Sequence, residues 1–338
     1  METTQLLNKI IDKKNLTTKE TKEFLTNVLK GEVSSAQVAG VLTALRMKGE
    51  TVDEIIGFIK SMREQMISVD ARQAIDVCGT GGDGSKSFNI STCVAFVVAG
   101  AGMKVAKHGN RAASSTCGSA DVLEALGVSI NLTAKEAKEI LEKIGMVFLF
   151  APNFHPATKQ VAVIRKELKI RTIFNYLGPF LNPAATTKQL IGVPNQAIAK
   201  KLIQVGKKLG YKHLVIVTSL DGMDEVSLST TTQVFELKNN IIKTFVINPE
   251  KFGFKKTVKD QIKEGTLEQN AKFLRDILNG TKNAKRDIVV LNSALAFIAS
   301  DKVKNIKDGI KLAEESIDKG YAKKVLESLI KESQKYEK

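Results

Sequence analysis

The sequence has little cysteine, no tryptophan and no long apolar run. Its three cysteines, Cys78, Cys93 and Cys117, show no CxxC spacing, which argues against a disulfide framework and against a cysteine-based zinc site. No apolar stretch approaches the roughly 18–20 uncharged residues of a membrane helix. The segment METTQLLNKIIDKKN lacks the basic, apolar and small-residue pattern of a secretion signal. We therefore expect a protein of the reducing cytoplasm that has no membrane partner.

Blocks of like charge are also absent, although the chain is basic. It has 51 Lys and Arg against 36 Asp and Glu, a formal net charge of +15 over 338 residues. A basic chain can bind nucleic acid or small phosphate-rich substrates. Here the lysines are spread along the chain and interleaved with acids, as in KLAEESIDKGYAKK. This pattern favours a solvated lysine-rich surface and no nucleic-acid partner.

The beginning of the sequence has the pattern of a small helical unit. Residues 1 to about 68 contain three pairs with the spacing of a capping box, in which side chains bond the free N–H groups at a helix start: Thr17 with Glu20, Ser34 with Gln37, and Thr51 with Glu54. Gly31 and Gly49 stand where glycine commonly ends a helix. We predict four helices and no strand in this part.

From Ala74 onward, short apolar runs alternate with helical patterns. The predicted strands are Ile75–Cys78, Met103–Ala106, Val147–Phe150 and Leu214–Thr218, with an antiparallel pair in residues 233–247. Such alternation is typical of the α/β class with a mostly parallel central sheet. The length of the chain favours more than one domain. We predict a small all-helical domain over residues 1–70 and a larger α/β domain over 71–338, with a segment at about 165–185 that returns to the helical domain.

The stretch Gly79-Thr80-Gly81-Gly82-Asp83-Gly84, which we call the first loop together with the residues up to Thr92, follows a predicted strand and precedes a predicted helix. Glycines allow close approach of the backbone, and N–H groups before a helix can hold an anion. A simple tight turn is the alternative reading. The stretch lacks the GK[ST] of a P-loop and does not fit a dinucleotide fingerprint.

Two further loops follow predicted strands. The second loop, residues 107–119, combines two cations with glycine and small hydroxyl residues, and it should lie beside the first loop at the carboxyl edge of a parallel sheet. The third loop, Asp221-Gly222-Met223-Asp224-Glu225, offers three carboxylates, which suit Mg²⁺ bound with waters and substrate phosphates. A polar turn or a general acid/base pair are the alternatives for the third loop. The three histidines show no metal spacing, and His213 is expected at the surface or at a sheet edge.

Seven segments, in order through nearly the whole chain, resemble one known family. They are ALRMKGET (44–51), DVCGTGGDG-SFNIST (76–92), KHGNRAASS-CGSADVLEALG (107–127), FAPNFHPA (150–157), RKEL-IRTIFN-LGP-LNP (165–183), DGMDE (221–225) and KRDIVVLN (285–292). The sequence is similar to the anthranilate phosphoribosyltransferases, enzymes of tryptophan biosynthesis that join anthranilate to phosphoribosyl pyrophosphate (PRPP). The resemblance implies a homodimer with a small helical domain and a larger PRPP-binding α/β domain.

The resemblance also implies roles for individual residues. PRPP would be bound by Gly79, Gly82, Asp83, Ser87, Asn89, Ile90, Ser91 and Thr92, and by Lys107, His108, Gly109, Asn110, Arg111, Ala112, Ala113, Ser114, Ser115 and Ser119. Anthranilate would be bound by Gly79, Asn110, His155 and Arg165, and the Mg²⁺ cofactor by Ser91, Asp224 and Glu225. Lys107 and Arg165 would be catalytic.

Two alternatives remain open at this point. A non-catalytic nucleic-acid-binding relative of the family would explain the net charge of +15. A pyrimidine nucleoside phosphorylase would share the architecture and the start of the helix after the second loop. The motifs GTGGDG-SFNIST and RTIFN-LGP favour the transferase over both.

Overall fold

The computed structural model describes residues 2–112 and 116–337. Ala113, Ser114 and Ser115 of the second loop lie outside the described residues. The α-helices of the described residues are α1 (Thr3–Ile11), α2 (Thr18–Leu29), α3 (Ser35–Lys48), α4 (Val52–Glu64), α5 (Ile90–Gly100), α6 (Ser119–Ala125), α7 (Ala134–Ile144), α8 (Ala151–Phe154), α9 (Lys159–Leu168), α10 (Phe174–Leu177), α11 (Gln196–Lys208), α12 (Leu267–Leu278), α13 (Ala284–Ala299), α14 (Ile306–Asp318) and α15 (Tyr321–Ser333).

The strands are β1 (Ile75–Gly79), β2 (Val105–Gly109), β3 (Met146–Phe150), β4 (Lys188–Gly192), β5 (His213–Ser219), β6 (Thr232–Lys238) and β7 (Ile241–Ile247). Short 3-10 helices occupy Pro156–Thr158, Gly178–Leu181, Pro249–Phe252, Lys259–Ile262 and Gln334–Tyr336. No helix within the described residues is both long and apolar enough to cross a membrane.

The helical unit begins the chain, with α1 to α4 as the sequence predicts. Two capping boxes are complete: the Thr17 and Thr51 side chains accept the backbone N–H groups of Glu20 and Glu54, whose carboxylates bond back. The third is half formed: the Ser34 hydroxyl accepts the Gln37 backbone N–H at 3.4 Å, but the Gln37 side chain bonds the Ser34 hydroxyl instead of accepting the Ser34 backbone N–H.

The strands form one sheet in the order β3-β2-β1-β4-β5-β6-β7 within the described residues. The first five strands in this order pair in parallel, and β6 and β7 are antiparallel. The β6–β7 turn at Asn239 and Asn240 has φ values of 50° and 62°, which asparagine tolerates better than most residues. The predicted α/β class with a mostly parallel sheet is confirmed.

Two features of the predicted strand pattern are wrong. The second strand is Val105–Gly109 rather than Met103–Ala106, because parallel pairing with β3 continues to Gly109 opposite Phe150. Lys107, His108 and Gly109 therefore lie on a strand rather than in a loop. The second feature is β4, a central strand between β1 and β5 that was not predicted. Its first residues, Lys188 and Gln189, are polar, so it lacks the apolar run expected of a buried parallel strand.

Each face of the sheet packs on its own core. On β5, Val215 and Val217 belong to a core formed with α5 and α12 to α15, whereas Leu214 and Ile216 face α11 and the helical unit. This alternation is the period-2 pattern of a strand buried on both faces.

The segment after β3 packs against the helical unit. Phe174 lies edge-on to Phe58 of α4, with ring centroids 5.7 Å apart, and the Arg63 Nε donates to the Phe180 carbonyl at 2.9 Å. Val161 of α9 is buried in the same core. The division of the chain into residues 1–70 and 71–338 stays a prediction.

The expectation for His213 is wrong, since this residue is only 1% exposed. Its ring nitrogens lie 2.8 Å from carboxylate oxygens of Asp301 and Glu236. Lys188 and Lys238 also contact Asp301, at 2.7 and 2.6 Å. Burial raises the pKa of Asp301, but these cationic neighbours outweigh it and hold that pKa below its usual value. The cluster ties the amino-terminal ends of the inner strands β4 and β5 to the end of α13, at the opposite end of these strands from the loops. All three cysteines are free thiols.

Candidate active site

The first and third loops meet at the carboxyl edge of the sheet. The Gly81 N–H donates to the Asp224 carboxylate at 2.9 Å, and the Asp224 N–H donates to the Asp83 carboxylate at 3.2 Å. The second loop is tied in by the Asn89 side-chain amide, which donates to the Cys117 carbonyl at 3.0 Å. The predicted meeting of the three loops is therefore present in the structure. Such an edge is where α/β proteins bind ligands.

Glycine is required where the third loop approaches the strands. A Cβ on Gly79, at the end of β1, would lie 2.4 Å from an Asp224 carboxylate oxygen. A Cβ on Gly192, at the end of β4, would lie 1.4 Å from the Asp224 carbonyl oxygen. Both distances are far below van der Waals contact, so any residue other than glycine at these two positions would clash with Asp224. The role of Gly192 was not predicted, because β4 itself was not.

The carboxylates of this edge repel one another. Burial and the neighbouring Asp83 carboxylate raise the pKa of Asp224 to about 7. Burial and the charge of Asp224 also raise the pKa of Glu225 well above its ordinary value, although Lys107 and the Ser91 N–H oppose the shift. The folded chain thus holds acidic groups in an arrangement that disfavours their ionised forms. A bound cation would relieve this repulsion.

Lys107 lies beneath these carboxylates, on β2. Its ammonium donates to the Val77 carbonyl at 2.8 Å and to the Ser91 hydroxyl at 3.2 Å, and the residue is only 2% exposed. Burial lowers the pKa of Lys107, while Asp76 and Glu225 favour its charged form. An ammonium has three N–H donors, and two are used by acceptors within the described residues. The third is available to a substrate oxygen.

Asp76 is a buried carboxylate that was not predicted to belong to the site. It accepts the His108 N–H at 3.2 Å and the Gln189 side-chain amide at 3.0 Å. Burial raises its pKa and the charge of Lys107 lowers it. Its only sequence signal was its place inside the DVCGTGGDG motif. The pairing with Gln189 could not be anticipated without knowing that β1 and β4 are neighbours.

The first loop leads directly into α5. Asp83 accepts the Ser85 N–H at 3.1 Å, and the Ser85 hydroxyl contacts that of Ser87 at 3.3 Å. Ile90 and Thr92 in the first turn of α5 are each only 1% exposed. The Ile90 side chain belongs to the apolar core, and the Ile90 N–H donates to the Phe88 carbonyl at 2.6 Å. As the N-terminus of a helix, the start of α5 favours an anion in general.

Arg111 of the second loop is directed to acids of α6 rather than to the first loop. Its guanidinium bonds Asp121 at 3.0 Å and Glu124 at 2.5 Å, and it lies 5.5 Å from the ring centroid of Phe150. The Asn110 carbonyl accepts the Ser119 hydroxyl at 3.3 Å. Ala112 is held by its N–H bond to Asp121 at 3.0 Å. The structure therefore does not bring Arg111 to the other predicted PRPP residues.

Two buried histidines, His108 on β2 and His155 after α8, lie next to each other. The His108 and His155 ring centroids are 5.4 Å apart, and their rings bond the carbonyls of Gly178 at 3.3 Å and Leu181 at 2.8 Å. Burial lowers both pKa values, that of His108 to about 3. Burial thus favours the neutral form of both rings. The His108 Nε2 and the His155 Nδ1 have no partner within the described residues.

Two arginines of the segment after β3 differ in their contacts. Arg165 on α9 is exposed, and its guanidinium lies 5.4 Å from the ring centroid of Phe174, with no ion pair among the described residues. Nearby protein atoms lower its pKa by desolvation. Arg171 reaches the first loop, where it bonds the carbonyls of Gly81 at 3.2 Å and of Gly82. Arg171 was not predicted as a site residue, although it stands in the quoted IRTIFN motif.

The donor set fits Mg²⁺ better than a transition metal. No three His, Cys, Asp or Glu side chains of residues 2–112 and 116–337 converge as a complete ligand group. Asp224 and Glu225 with the Ser91 hydroxyl offer oxygen donors only, which matches an ion held by one or two carboxylates plus waters and substrate phosphates.

Comparison with known families agrees with this arrangement. A family model described as "Glycosyl transferase family, a/b domain" matches residues 71–323, and one described as "Glycosyl transferase family, helical bundle domain" matches residues 4–66. The fold and the site thus define a glycosyl transferase of the type that joins a helical bundle to an α/β domain.

Individual relatives narrow the class. The chain is 48% identical over 324 residues to the anthranilate phosphoribosyltransferase of Dehalococcoides mccartyi strain 195, a match that covers 95% of each chain. The Thermus thermophilus enzyme structure superimposes with a TM-score of 0.91 at 37% identity, covering 97% of this chain and 99% of that one. The Saccharomyces cerevisiae enzyme in complex with PRPP and Mg gives 0.90 at 28% identity and covers 98% of each chain. This chain belongs to the anthranilate phosphoribosyltransferase family.

Proposed function

We infer that this chain is a pentosyltransferase that moves the 5-phosphoribosyl group of PRPP to the amine of anthranilate. The products are N-(5-phosphoribosyl)anthranilate and pyrophosphate, in tryptophan biosynthesis. The inference is carried by the 48% identity over 95% of the chain to a relative of that name. The three loops at the sheet edge and the yeast relative's complex with PRPP and Mg support it.

The chemistry needs positioning and electrostatics more than a nucleophilic side chain. The anthranilate nitrogen forms a bond to C1 of the ribose, the bond from C1 to the pyrophosphate oxygen breaks, and its electron pair leaves with pyrophosphate. The transition state therefore carries positive charge on the ribose ring and negative charge on the leaving group. Backbone N–H groups of the first loop and of the start of α5 are suited to hold that negative charge.

We propose that Asp224, Glu225 and the Ser91 hydroxyl hold Mg²⁺ together with the pyrophosphate of PRPP. When bound, the ion would neutralise charge on the leaving pyrophosphate. The raised pKa values of Asp224 and Glu225 support this assignment, because the chain maintains carboxylates that need a cation. Lys107 beneath them would orient the Ser91 hydroxyl through its bond of 3.2 Å.

We propose that Arg165, Asn110 and the two histidines bind anthranilate. Neutral imidazole nitrogens without partners can accept an amine N–H, which matches the His108 Nε2 and the His155 Nδ1 within the described part of the chain. A guanidinium matches the anthranilate carboxylate. After attack, the amine nitrogen releases one proton to solvent or to a neutral imidazole.

The proposal is tested by following anthranilate fluorescence with purified protein. We expect loss of the anthranilate signal only when protein, PRPP and Mg²⁺ are all present, with one pyrophosphate released per anthranilate consumed. Absence of turnover under all these conditions would refute the transferase. Phosphorolysis of thymidine or uridine would favour the phosphorylase, and salt-sensitive binding of DNA or RNA would favour the nucleic-acid-binding relative.

Replacing Arg165 by Ala should raise the KM for anthranilate about 10- to 100-fold, since a charged hydrogen bond to a carboxylate is lost. The KM for PRPP should change by less than about 3-fold, because the predicted PRPP residues lie on other elements. Steady-state kinetics with each substrate varied in turn gives both values. Lys166→Ala is the matched control, since it removes a neighbouring exposed cation of the same helix. If the KM for PRPP rose more than the KM for anthranilate, Arg165 would not be part of the anthranilate site.

We also propose that the chain forms a homodimer, as the resemblance implies. Two apolar side chains of the helical unit are strongly exposed, Met47 at 84% and Ile11 at 62%. A second copy that covered these side chains would remove their apolar surface from water, which favours association. The molar mass from light scattering during gel filtration tests this, and a mass of one chain at all concentrations would contradict it.

A further inference from the structure

One segment touches the loops of the candidate site from outside the sheet. We call residues 259–265 the crossing segment. Its Ile262 carbonyl accepts the Phe88 N–H at 3.1 Å, and its Glu264 N–H donates to the Lys86 carbonyl at 2.7 Å. Between these bonds, Lys263 pairs with Ser87 as an isolated antiparallel bridge. The crossing segment therefore lies along the end of the first loop like a short added strand.

The crossing segment also reaches the other two loops. The Glu264 carboxylate accepts the Thr116 N–H at 3.3 Å, and the Gly265 carbonyl accepts the Thr116 hydroxyl at 3.4 Å. At its other end, the Lys259 ammonium donates to the Asp221 carbonyl at 2.8 Å. A single stretch of seven residues thus contacts the first, second and third loops.

Few side chains anchor the crossing segment to the core. Of residues 259–265, all of which are described, only Ile262 is buried, at 3% exposure. The crossing segment can position the loops only if it is itself held in place. Its backbone bonds to the loops do not do this. An anchor to the helices behind it is needed.

One end of the segment has such an anchor, since the Asn270 side-chain oxygen on α12 accepts the Gly265 N–H at 3.0 Å. Lys285 at the start of α13 anchors the middle of the segment. Its ammonium donates to the Gln261 carbonyl at 2.6 Å and to the Lys263 carbonyl at 3.3 Å. The same ammonium lies 4.5 Å from the ring centroid of Phe273 on α12 and 5.4 Å from that of Phe88. The Phe88 and Phe273 rings are themselves edge-on at 6.4 Å. One cation therefore binds the crossing segment, the end of the first loop and α12 together.

We propose that Lys285 is a positioning residue for PRPP, which acts through the crossing segment to hold the first loop in its ligand-binding shape. The proposal rests on the proposed function, since it assumes that the first loop binds PRPP. Lys285 would not touch the substrate. Its effect would reach PRPP through the Phe88 backbone and ring, one residue after Ser87 and one before Asn89. In the sequence alone, Lys285 is only a motif position without a role.

The test compares Lys285→Met with Lys285→Arg and with Lys282→Met. Methionine keeps the length of the side chain without the charge, arginine keeps a cation that can donate and stack, and Lys282 is an exposed lysine of the preceding turn. For Lys285→Met we expect a KM for PRPP about 3- to 10-fold higher, with the KM for anthranilate changed less than about 2-fold. Lys285→Arg and Lys282→Met should stay near the wild-type values.

Amide hydrogen exchange without substrates gives a second readout that does not depend on the reaction. In Lys285→Met, peptides covering residues 80–89 and 259–265 should exchange about 5- to 10-fold faster, while peptides of β5 keep their rates. Phe273→Leu, which keeps the ammonium and its carbonyl bonds, should give a smaller change of the same kind, and it serves if Lys285→Met does not fold.

Unchanged exchange in both regions would overturn the proposal, and so would equal increases in both KM values, which a general loss of stability would produce. If the wild-type protein shows no transferase activity, the proposed function fails. Exchange still decides in that case whether Lys285 holds the first loop.

Discussion

The double replacement of Asp224 by Asn and Glu225 by Gln is expected to lower transferase activity by about 10³-fold or more, as the loss of preorganised electrostatic groups does in other enzymes. Both replacements keep the size and shape of the side chain, remove the negative charge and exchange one acceptor oxygen for an N–H₂ donor. The fold should survive, because the amide oxygen of the introduced asparagine could still accept the Gly81 N–H that Asp224 accepts at 2.9 Å. Anthranilate fluorescence at saturating PRPP and a range of Mg²⁺ concentrations measures the effect.

The same double variant should be more stable than the wild type when no ligand is present. In the folded chain the pKa of Asp224 is raised to about 7, above its ordinary value of 3.8, by burial and by Asp83. A raised carboxyl pKa means that ionisation costs stability. This cost is absent below about pH 4, grows as the pH rises towards 7 and is complete above it. Thermal unfolding should show a gain of about 1–4 kcal/mol at pH 8 and little gain at about pH 4.5.

Asp12→Asn is the matched control, since Asp12 is an exposed carboxylate of the helical unit, paired with Lys14 at 3.2 Å. It should leave transferase activity unchanged. Mg²⁺ and pyrophosphate together should stabilise the wild type and have little effect on the double variant. If the double variant had the kinetics of the wild type, Asp224 and Glu225 would not be ligands of the proposed metal site.

The arrangement of the loops could be predicted because it depends on short stretches of neighbouring residues. Gly79 to Gly84, residues 107–119 and Asp221 to Glu225 each follow an apolar run, and parallel strands bring such positions to one edge. The contacts between Asp224 and the first loop agree with that expectation. The helices of the helical unit could be predicted for the same reason, since each capping residue lies within three residues of its partner.

The parts that could not be predicted depend on partners far apart in the sequence. β4 has no apolar signature because its buried Gln189 is satisfied by Asp76, which is 113 positions away. The boundary of β2 depends on pairing with β3, so Lys107 looked like a loop residue. The crossing segment has no periodic pattern, and its contacts are mostly backbone bonds that side-chain chemistry does not reveal. His213 looked ordinary because its two carboxylate partners come from β6 and from the end of α13.

Replacing Lys107 by Met is the second change for which we expect a large effect. The ammonium is buried among the carboxylates of Asp76 and Glu225, and both favour its charge. Methionine has a similar length and no charge, so Glu225 would lose the cation that now lowers its pKa. Its affinity for Mg²⁺ should fall because a metal ligand must be deprotonated. We expect kcat/KM for PRPP to drop about 10²- to 10³-fold, measured by the fluorescence assay.

Stability should also fall in Lys107→Met, by about 3–5 kcal/mol, because removing one partner leaves buried carboxylates without compensation. Adding Asp76→Asn separates the two effects. The double variant removes the carboxylate that Lys107 balances, so it should regain most of the stability measured in urea. It should regain little activity, since the Ser91 hydroxyl still lacks its donor and Glu225 still lacks its cation.

This pair of variants decides what the buried lysine does. If Asp76→Asn restored both stability and activity to Lys107→Met, Lys107 would be a structural counter-ion and the loss of activity a consequence of unfolding. If stability returns and activity does not, the ammonium itself is required at the edge of the sheet. The second result is expected, because Lys107 contacts the Ser91 hydroxyl directly and has one N–H donor not used by the described residues.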